Sequence, residues 1–236
     1  VDLIFEGDGI TVCADDVTLN LNGHSVRGSG NGNGVGVRIL SRHNVTIKRG
    51  TVYGFEFGVY VENSFGIRVE EVLATGNTFG VFVWESNIDL ENNHVVDNHI
   101  GVNFVNSLGF IRFNRISSNS LHEIYLYGSD VIVKHNVVMG GEFGIFAWKS
   151  PNIVVEKNKI IGNHIGFKAV FSSVTVQSNL IKECYKFGVY LEESFSIIKN
   201  NIIMQNEHYG VYVLRSNVTL KNNIICLLYT SPSPRD

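Results

Sequence analysis

Two glutamates, Glu62 and Glu85, are the residues of this chain whose types and spacing suit acid–base chemistry. They occupy neighbouring copies of a repeated pattern and differ by one position within it. Hydrolysis of a glycosidic bond needs two carboxyl groups about 5–9.5 Å apart, and adjacent copies of a short repeat bring residues that close. The pair therefore predicts an acid/base site for polysaccharide cleavage. The alternative interpretation is that both glutamates are solvated or form salt bridges.

A second group of residues suits binding. Aromatic rings and one amide recur at fixed positions of the repeat, and both tryptophans of the chain are among them. Flat rings stack on the C–H faces of sugars, and an exposed apolar patch usually marks a contact surface. Three interpretations stay open: contact with a glycan, cross-strand stacking that stabilises a sheet, and contact with a protein partner. The candidate binding residues are Tyr60, Phe82, Trp84, Asn103, Tyr125, Tyr127, Phe146 and Trp148.

The repeat that positions both groups has a period of 21 or 22 residues, and one marking residue identifies each copy. Apolar residues follow it at positions +1 and +3, which is the alternation of a β-strand. Two further short apolar stretches complete each copy and leave no room for a helix. Each copy is therefore predicted to be one coil of three short strands, stacked in parallel on the next coil. The marking residues are Gly36, Gly58, Gly80, Gly101, Glu123, Gly144, Gly166, Gly188 and Gly210.

Polar residues also recur in register with the marking residue. Asparagine tolerates the left-handed backbone of a tight corner, and its amide can both donate and accept along a stack of coils. We interpret these columns as structural ladders. The serine column, at +6, contains Ser64, Ser86, Ser107, Ser129, Ser150, Ser172, Ser194 and Ser216. One asparagine column contains Asn93, Asn114, Asn136, Asn158, Asn179, Asn201 and Asn223, and a partial one contains Asn77, Asn98, Asn119, Asn163 and Asn206.

Composition excludes several classes of function. The 236 residues carry a net charge of −3, and lysines and arginines are scattered, so nucleic acid is not an expected partner. No apolar run approaches the ~20 residues of a membrane helix, so no membrane span is predicted. The histidines lie too far apart along the stack to share an ion, and the three cysteines match no zinc spacing. No metal site and no cofactor are predicted.

Residues 14–26 and 44–50, followed by the coils that open on Gly-Val or Gly-Ile, resemble right-handed parallel β-helix proteins. The most similar groups are the NosD-like proteins and the pectin-lyase-like carbohydrate-binding and sugar-hydrolase proteins. The resemblance implies an all-β, right-handed parallel β-helix (a solenoid) of roughly nine coils. It also implies an extracytoplasmic location, meaning secreted, periplasmic or at the cell surface, and we expect no signal peptide within this sequence.

The shared residues are the structural ones, so the resemblance leaves three functional hypotheses open. The leading one is a module that binds a polysaccharide along the outward aromatic positions. The second is a polysaccharide hydrolase or lyase that uses Glu62 and Glu85. The third is a non-catalytic structural or accessory protein, such as an adhesin or a NosD-like partner in copper delivery.

Three segments are predicted along the chain. Residues 1–35 form an N-terminal capping segment and first coil, and residues 36–225 carry the β-helix repeats. Residues 226–236 break the repeat and resemble the in-frame translation of a sequencing adapter. On this interpretation the β-helix is truncated at its C-terminal end, while a natural Pro/Ser tail is the alternative.

Overall fold

The computed structural model describes residues 2–227, which form 29 β-strands and no helix. The predicted adapter segment begins inside the last strand, and its residues 228–236 lie outside the described residues. The strands are β1 Leu3–Ile4, β2 Ile10–Val12, β3 Thr18–Asn20, β4 Ser25–Arg27, β5 Val35–Leu40, β6 Thr46–Tyr53, β7 Phe57–Glu62, β8 Ile67–Thr75, β9 Phe79–Trp84, β10 Asn87–Glu91, β11 His94–Val96, β12 Ile100–Val105, β13 Leu108–Arg112, β14 Arg115–Ser117, β15 His122–Tyr127, β16 Asp130–Lys134, β17 Val137–Met139, β18 Phe143–Trp148, β19 Asn152–Glu156, β20 Lys159–Ile161, β21 Ile165–Val170, β22 Ser173–Gln177, β23 Leu180–Lys182, β24 Phe187–Glu192, β25 Phe195–Lys199, β26 Ile202–Asn206, β27 Tyr209–Leu214, β28 Asn217–Lys221 and β29 Ile224–Leu227.

The strands stack coil on coil into a parallel solenoid. One strand from each coil, namely β2, β5, β7, β9, β12, β15, β18, β21, β24 and β27, contributes to a ten-stranded sheet. The other strands form a 19-stranded sheet, because β6 and β8 are long enough to join its two rows. The predicted all-β fold with three short strands per coil is confirmed. The ten-stranded sheet gives about ten coils, since β2 in the N-terminal segment adds one to the nine counted from marking residues.

The core is a continuous column of branched aliphatic side chains. In the coil marked by Gly80, Val81 and Val83 are buried, and they pair in register with Val59 and Val61 of the coil before. The same arrangement repeats from the coil of Gly36 to the coil of Gly188, while Val213 in the last coil is 43% exposed. Because each coil contacts mainly its two neighbours, stability is approximately a sum of nearest-neighbour terms.

The strand alternation is interrupted at the marking residue of each coil. Gly80 and Val81 are both buried, so Phe79 and Phe82 lie on the same outer face although two residues separate them. The pairing of neighbouring strands also skips the glycine, because Phe57 pairs with Phe79 and Val59 pairs with Val81. Three positions of each coil therefore face outward from this sheet: −1, +2 and +4 relative to the marking residue.

A hydrogen-bonded serine ladder follows the corner after the ten-stranded sheet. The Ser64 N–H donates to Ser86 Oγ at 3.0 Å, and the Ser86 N–H donates to Ser107 Oγ at 3.1 Å. Each hydroxyl in turn donates to the carbonyl two residues earlier, as Ser64 Oγ does to the Glu62 oxygen at 2.7 Å. These bonds satisfy polar groups at a buried corner where water cannot reach them.

Candidate functional site

The outer face of the ten-stranded sheet carries a band of rings that we call the aromatic strip. Its rings occupy outward positions of six coils and fall into three clusters. The strip contains Phe57, Tyr60, Phe79, Phe82, Trp84, His122, Tyr125, Tyr127, Phe143, Phe146, Trp148, Phe187, Tyr190, Tyr209 and Tyr212.

The first cluster lies in β7 and β9. Phe57 stacks on Phe79 with centroids 5.0 Å apart and an interplanar angle of 10°. Tyr60 stacks on Phe82 at 5.5 Å and 5°, and Phe57 meets Phe82 edge to face at 5.2 Å. The four rings are ordered by their neighbours because stacked and edge-to-face pairs are both favoured geometries.

The second cluster lies in β15 and β18. His122 stacks on Tyr125 at 5.0 Å and contacts the ring of Phe143 at 5.0 Å. At the +4 positions, Tyr127 meets Trp148 edge to face at 5.5 Å. Trp148 is 36% exposed, and the Lys149 Nζ lies 5.4 Å from its ring centroid.

The third cluster lies in β24 and β27. Tyr190 stacks on Tyr212 at 5.4 Å, and Phe187 stacks on Tyr212 at 5.1 Å. The first, second and third clusters begin three coils apart, which corresponds to roughly 14 Å along the solenoid axis at ~4.8 Å per coil. The strip is therefore a repeated surface and not a single pocket.

A lysine separates the second and third clusters. The Lys168 Nζ lies 4.9 Å from the ring centroid of Phe146 and 5.3 Å from that of Tyr190. Burial lowers the pKa of Lys168, while the nearby Glu192 carboxylate opposes that shift. Within residues 2–227 Lys168 forms no ion pair, and its ammonium group contacts mainly the faces of aromatic rings.

An amide separates the first and second clusters. Asn103 lies between Phe82 and Tyr125 in the register of the sheet, where the other coils of these clusters carry a ring. The Asn103 side chain is only 6% exposed, and its Oδ1 is buried without a hydrogen-bond partner among the described residues. His122 in the next coil is 9% exposed, and its Nδ1 also lacks a partner there.

The two predicted acid/base residues occupy different surfaces of their coils. Glu62 ends β7 within the sheet and accepts a hydrogen bond from the Tyr60 hydroxyl at 2.8 Å. Burial, followed by this hydrogen bond, raises the pKa of Tyr60 to about 12. Glu85 follows β9 at a left-handed corner with φ of 48°, the position that Asn63 occupies one coil earlier. The in-register neighbour of Glu62 is therefore Trp84, and Glu85 lies one position further along.

All eight residues predicted to bind lie at outward positions of the ten-stranded sheet. Trp84 is 42% exposed, whereas Asn103 is nearly buried between its neighbours. The rings at position −1 were missed by sequence reasoning, although a Phe or Tyr directly before the marking residue is visible in five coils. The missed rings are Phe57, Phe79, His122, Phe143, Phe187 and Tyr209.

The described residues contain neither a group of metal ligands nor a membrane-spanning helix. Residues 2–227 contain no group of three or more His, Cys, Asp or Glu side chains arranged to hold a metal ion. No helix long and apolar enough to span a bilayer occurs among them.

A parallel solenoid of three-stranded coils with a hydrogen-bonded serine ladder defines a β-helix protein. The family model described as the right handed beta helix region matches residues 79–225, more than half of the chain, and the chain belongs to this family. A search of curated protein sequences finds no match.

Several solved structures share the fold at low sequence identity. An alginate lyase from Paenibacillus sp. str. FPU-7 superposes with a TM-score of 0.78 at 13% identity, covering 92% of this chain and 89% of that chain. The periplasmic alginate epimerase AlgG gives a TM-score of 0.69 at 17% identity, and the match covers 89% of this chain but only 58% of the epimerase chain. The A-module of the Azotobacter vinelandii mannuronan C-5 epimerase AlgE4 gives 0.56 at 14% identity, covering 96% and 85%.

Proposed function

We propose that the aromatic strip binds a polysaccharide. The single observation that carries the proposal is that three ring clusters lie on an outer sheet face that contributes nothing to the core. Inward Val, Ile, Leu and Phe side chains supply the core of the same strands. The outward rings are therefore not part of the core, and an exposed apolar patch usually marks a contact surface.

The spacing of the clusters favours an extended ligand with repeated units. Each cluster lies about 14 Å from the next along a nearly straight axis. A polymer of sugars can offer one C–H face to each cluster in turn, whereas a compact ligand would occupy only one. Lys168 and the Tyr60–Glu62 and Tyr190–Glu192 pairs place polar groups beside the rings for hydroxyl or charged substituents.

Cross-strand stacking alone does not explain the exposed rings of the aromatic strip. Such pairs contribute roughly 0.2–1 kcal/mol each, and this explains rings that cover one another. Trp84 and Trp148 lie at the edge of the strip with 42% and 36% of their surface exposed. An exposed indole face is suited to a sugar ring and adds little to sheet stability.

The solved structures of similar fold support a polysaccharide as ligand. Those proteins are named as an alginate lyase and alginate or mannuronan epimerases, and AlgG is named as periplasmic. We accordingly propose an extracytoplasmic location for this protein as well. Sequence identities of 13–17% support only the fold. The experiment below therefore determines which glycan is bound.

Affinity electrophoresis tests the proposal directly. The native chain is run through gels containing alginate, polygalacturonate, xylan or β-glucan, beside the variant Trp84→Ala/Trp148→Ala. We expect at least one polymer to retard the native chain. The double substitution should reduce the affinity for that polymer about 10-fold or more. The matched control is Phe65→Ala/Phe195→Ala, which removes rings that are 53% and 68% exposed but lie outside the ten-stranded sheet.

Two results would contradict the proposal. One is a folded native chain that none of the four polymers retards. The other is equal loss of retardation in the Trp84/Trp148 and Phe65/Phe195 variants, which would indicate nonspecific adhesion to exposed rings. Absence of retardation would favour the structural or accessory hypothesis.

A second candidate function is cleavage of the bound polysaccharide by Glu62 and Glu85. The observation in its favour is that Glu62 lies within the strip and is oriented by the Tyr60 hydroxyl. We expect Glu62→Gln and Glu85→Gln each to abolish product formation while leaving retardation in place. Glu192→Gln is the matched control, since Glu192 accepts an equivalent bond from Tyr190 at 3.0 Å. Turnover that survives both substitutions would remove the assignment.

A further inference from the structure

The regular coil pattern breaks at the centre of the aromatic strip. The coil marked by Gly101 carries Asn103 at position +2, where both neighbouring coils carry a ring. The following coil carries His122 at position −1, where Phe143 stands one coil later. These two departures fall in adjacent coils and on the same outward face, and each places a polar side chain beside Phe82 or Phe143 of a neighbouring coil.

Both substitutions leave buried polar atoms without partners. Five such side-chain atoms occur within residues 2–227, and two of them are Asn103 Oδ1 and His122 Nδ1. A buried donor or acceptor without a partner costs about 1–3 kcal/mol of stability. A ring at either position would avoid this cost, as the neighbouring coils demonstrate. Polar side chains that lower stability on an otherwise apolar surface point to a use for their remaining polar atoms.

The other polar atom of each side chain reaches the surface and is free. Asn103 Nδ2 and His122 Nε2 make no hydrogen bond with any described residue, and neither is a buried unpartnered atom. Both side chains border Tyr125: Asn103 is its neighbour in the sheet register, and His122 stacks on it at 5.0 Å. Free hydrogen-bonding atoms therefore flank one ring of the second cluster.

The chemistry of this pair suits a hydroxyl group. Burial, with smaller effects from His99 and Lys168, lowers the pKa of His122 to about 4, so the imidazole is neutral at pH 7. A neutral imidazole has one donor and one acceptor nitrogen, so His122 Nε2 donates or accepts according to the tautomer, whereas Asn103 Nδ2 only donates. A hydroxyl can donate and accept, so it can pair with either, while a carboxylate can only accept.

We propose that Asn103 and His122 form a hydroxyl-reading subsite beside Tyr125, which hydrogen-bonds a sugar unit stacked on the second cluster. The subsite rests on the proposed function and adds to it a specificity-determining pair. A site that hydrogen-bonds a hydroxyl discriminates against a sugar that lacks this hydroxyl more strongly than an apolar contact does.

The experiment combines binding and stability in one variant, Asn103→Leu/His122→Phe. Affinity electrophoresis against alginate, polygalacturonate, xylan and β-glucan measures binding, and thermal unfolding measures stability. We expect affinity to fall about 10-fold or more for the polymer that retards the native chain. We expect the melting temperature to stay the same or rise, because the substitutions remove two unpartnered polar atoms and restore a ring at position −1.

A matched control removes a buried unpartnered atom from elsewhere. Ser196 lies in β25 of the 19-stranded sheet, is 5% exposed, and has a buried Oγ without a partner. Ser196→Ala should leave affinity unchanged. If the double variant unfolds, His122→Phe alone is measured, since Phe is already accommodated at the equivalent place as Phe143.

The outcomes separate this proposal from the general one. Unchanged affinity in Asn103→Leu/His122→Phe, together with lost affinity in Trp84→Ala/Trp148→Ala, overturns the subsite and leaves the strip as the binding surface. Lost affinity in both variants supports both proposals. A native chain that no polymer retards overturns both.

Discussion

Two asparagine columns follow the same coils, and only one of them is unbroken. In the column from Asn93 to Asn223, the backbone N–H and the amide of each asparagine both donate to Oδ1 of the next, as Asn136 does to Asn158 at 2.8 and 3.0 Å. The column that starts at Asn77 runs through Asn98 and Asn119 in the same way and then departs from asparagine twice. The difference shows what the ladder requires.

At the first departure, a side chain from another position takes over the hydrogen bonds. The ladder position holds Gly141, which has no side chain, and the Asn119 N–H donates instead to Glu123 Oε1 at 3.2 Å. The Asn119 amide donates to Glu123 Oε2. Glu123 is itself the residue that replaces a marking glycine. Glu123 at the marking position and Gly141 at the ladder position therefore compensate for each other. The Glu123 carboxyl group fills the space that an asparagine at position 141 would occupy.

The glycines of the other coils explain why this exchange is needed. A Cβ on Gly80 would lie 3.0 Å from Asn98 Nδ2, and one on Gly101 would lie 2.7 Å from Asn119 Nδ2. A side chain at the marking position and an asparagine at the ladder position therefore compete for one space. The ladder depends on an acceptor at a fixed point in space, and two sequence positions can supply it.

At the second departure the acceptor is weaker. Cys184 replaces asparagine and is buried, and its thiol donates to the Lys182 carbonyl oxygen at 3.6 Å. Burial raises the pKa of the Cys184 thiol to about 12, so it stays protonated at neutral pH. A thiol is a poor hydrogen-bond acceptor compared with an amide oxygen.

Breaking the unbroken column should have the largest effect on stability. Asn158→Ala removes the acceptor of the Asn136 N–H and the donor to the Val133 oxygen, which lies 2.8 Å from Asn158 Nδ2. Two buried groups lose partners, so we expect a loss of about 3 kcal/mol in the free energy of unfolding, measured by denaturant titration. The control is Asn152→Ala, an exposed residue bonded to Asp130, which should cost less than about 1 kcal/mol. Similar costs at both sites would contradict a stabilising ladder.

Exchanging the residues at the first departure should restore a regular column. Glu123→Gly alone leaves the Asn119 N–H unpartnered, and Gly141→Asn alone crowds Glu123, whose Cγ lies 3.0 Å from a Cβ placed at position 141. We expect each single change to cost about 2 kcal/mol and the double variant to lie within about 1 kcal/mol of the native chain. A double-mutant cycle measures this coupling. Additive losses would show that the two irregularities are independent.

The carboxylate at this place should make stability depend on pH. Burial raises the pKa of Glu123 to about 8, against the opposing effect of the hydrogen bonds from Asn119. The folded state therefore holds a proton that the unfolded state releases near its ordinary pKa of 4.5. Stability from this group is fully present below pH 4.5 and is lost as the pH rises through about 8.

Denaturant titrations at pH 6 and pH 8 provide the measurement. We expect the free energy of unfolding to be about 2 kcal/mol lower at pH 8 for the native chain. Glu123→Gln keeps an acceptor and does not titrate, so its stability should change much less over the same interval. An equal decrease in both proteins would assign the pH dependence to other groups.

Restoring asparagine at the second departure should have the smallest effect on stability. Cys184→Asn introduces an amide at a place where the glycine contact already matches that of the other coils: a Cβ on Gly166 lies 2.9 Å from Cys184 Sγ, and one on Gly188 lies 2.7 Å from Asn206 Nδ2. We expect a gain of about 1 kcal/mol from the stronger acceptor. Cys13→Ser, at an exposed cysteine, should be neutral. Loss of stability in Cys184→Asn would show that the coil has adapted to sulfur.

The fold follows from the sequence because one period governs every coil. A glycine every 21 or 22 residues, with apolar residues at +1 and +3, leaves only a stack of short parallel strands. The first coil did not follow from the period, because Gly9 precedes Gly36 by 27 residues instead of 21 or 22. In the structure Gly9 takes the marking position of that coil, since Ile10 and Val12 pair with Val37 and Ile39.

The strip was predicted only in part, and the reason is the irregularity at the marking residue. Strict alternation places position −1 on the same side as +1, so Phe57 and Phe79 read as inward. In the structure two consecutive residues point inward, and these rings join Tyr60 and Phe82 outside. The exchange between Glu123 and Gly141 was equally hidden, because the two positions lie 18 residues apart and leave no joint pattern in one sequence.

Tryptophan fluorescence tests the binding surface most directly. The chain contains two tryptophans, and Trp84 and Trp148 both lie on the aromatic strip, so intrinsic emission reports on that surface alone. Titration with the polysaccharide that retards the protein should shift the emission to shorter wavelength with saturation, because a sugar ring excludes water from the indoles. Saturable binding in electrophoresis with unchanged tryptophan emission would place the glycan elsewhere and contradict the account.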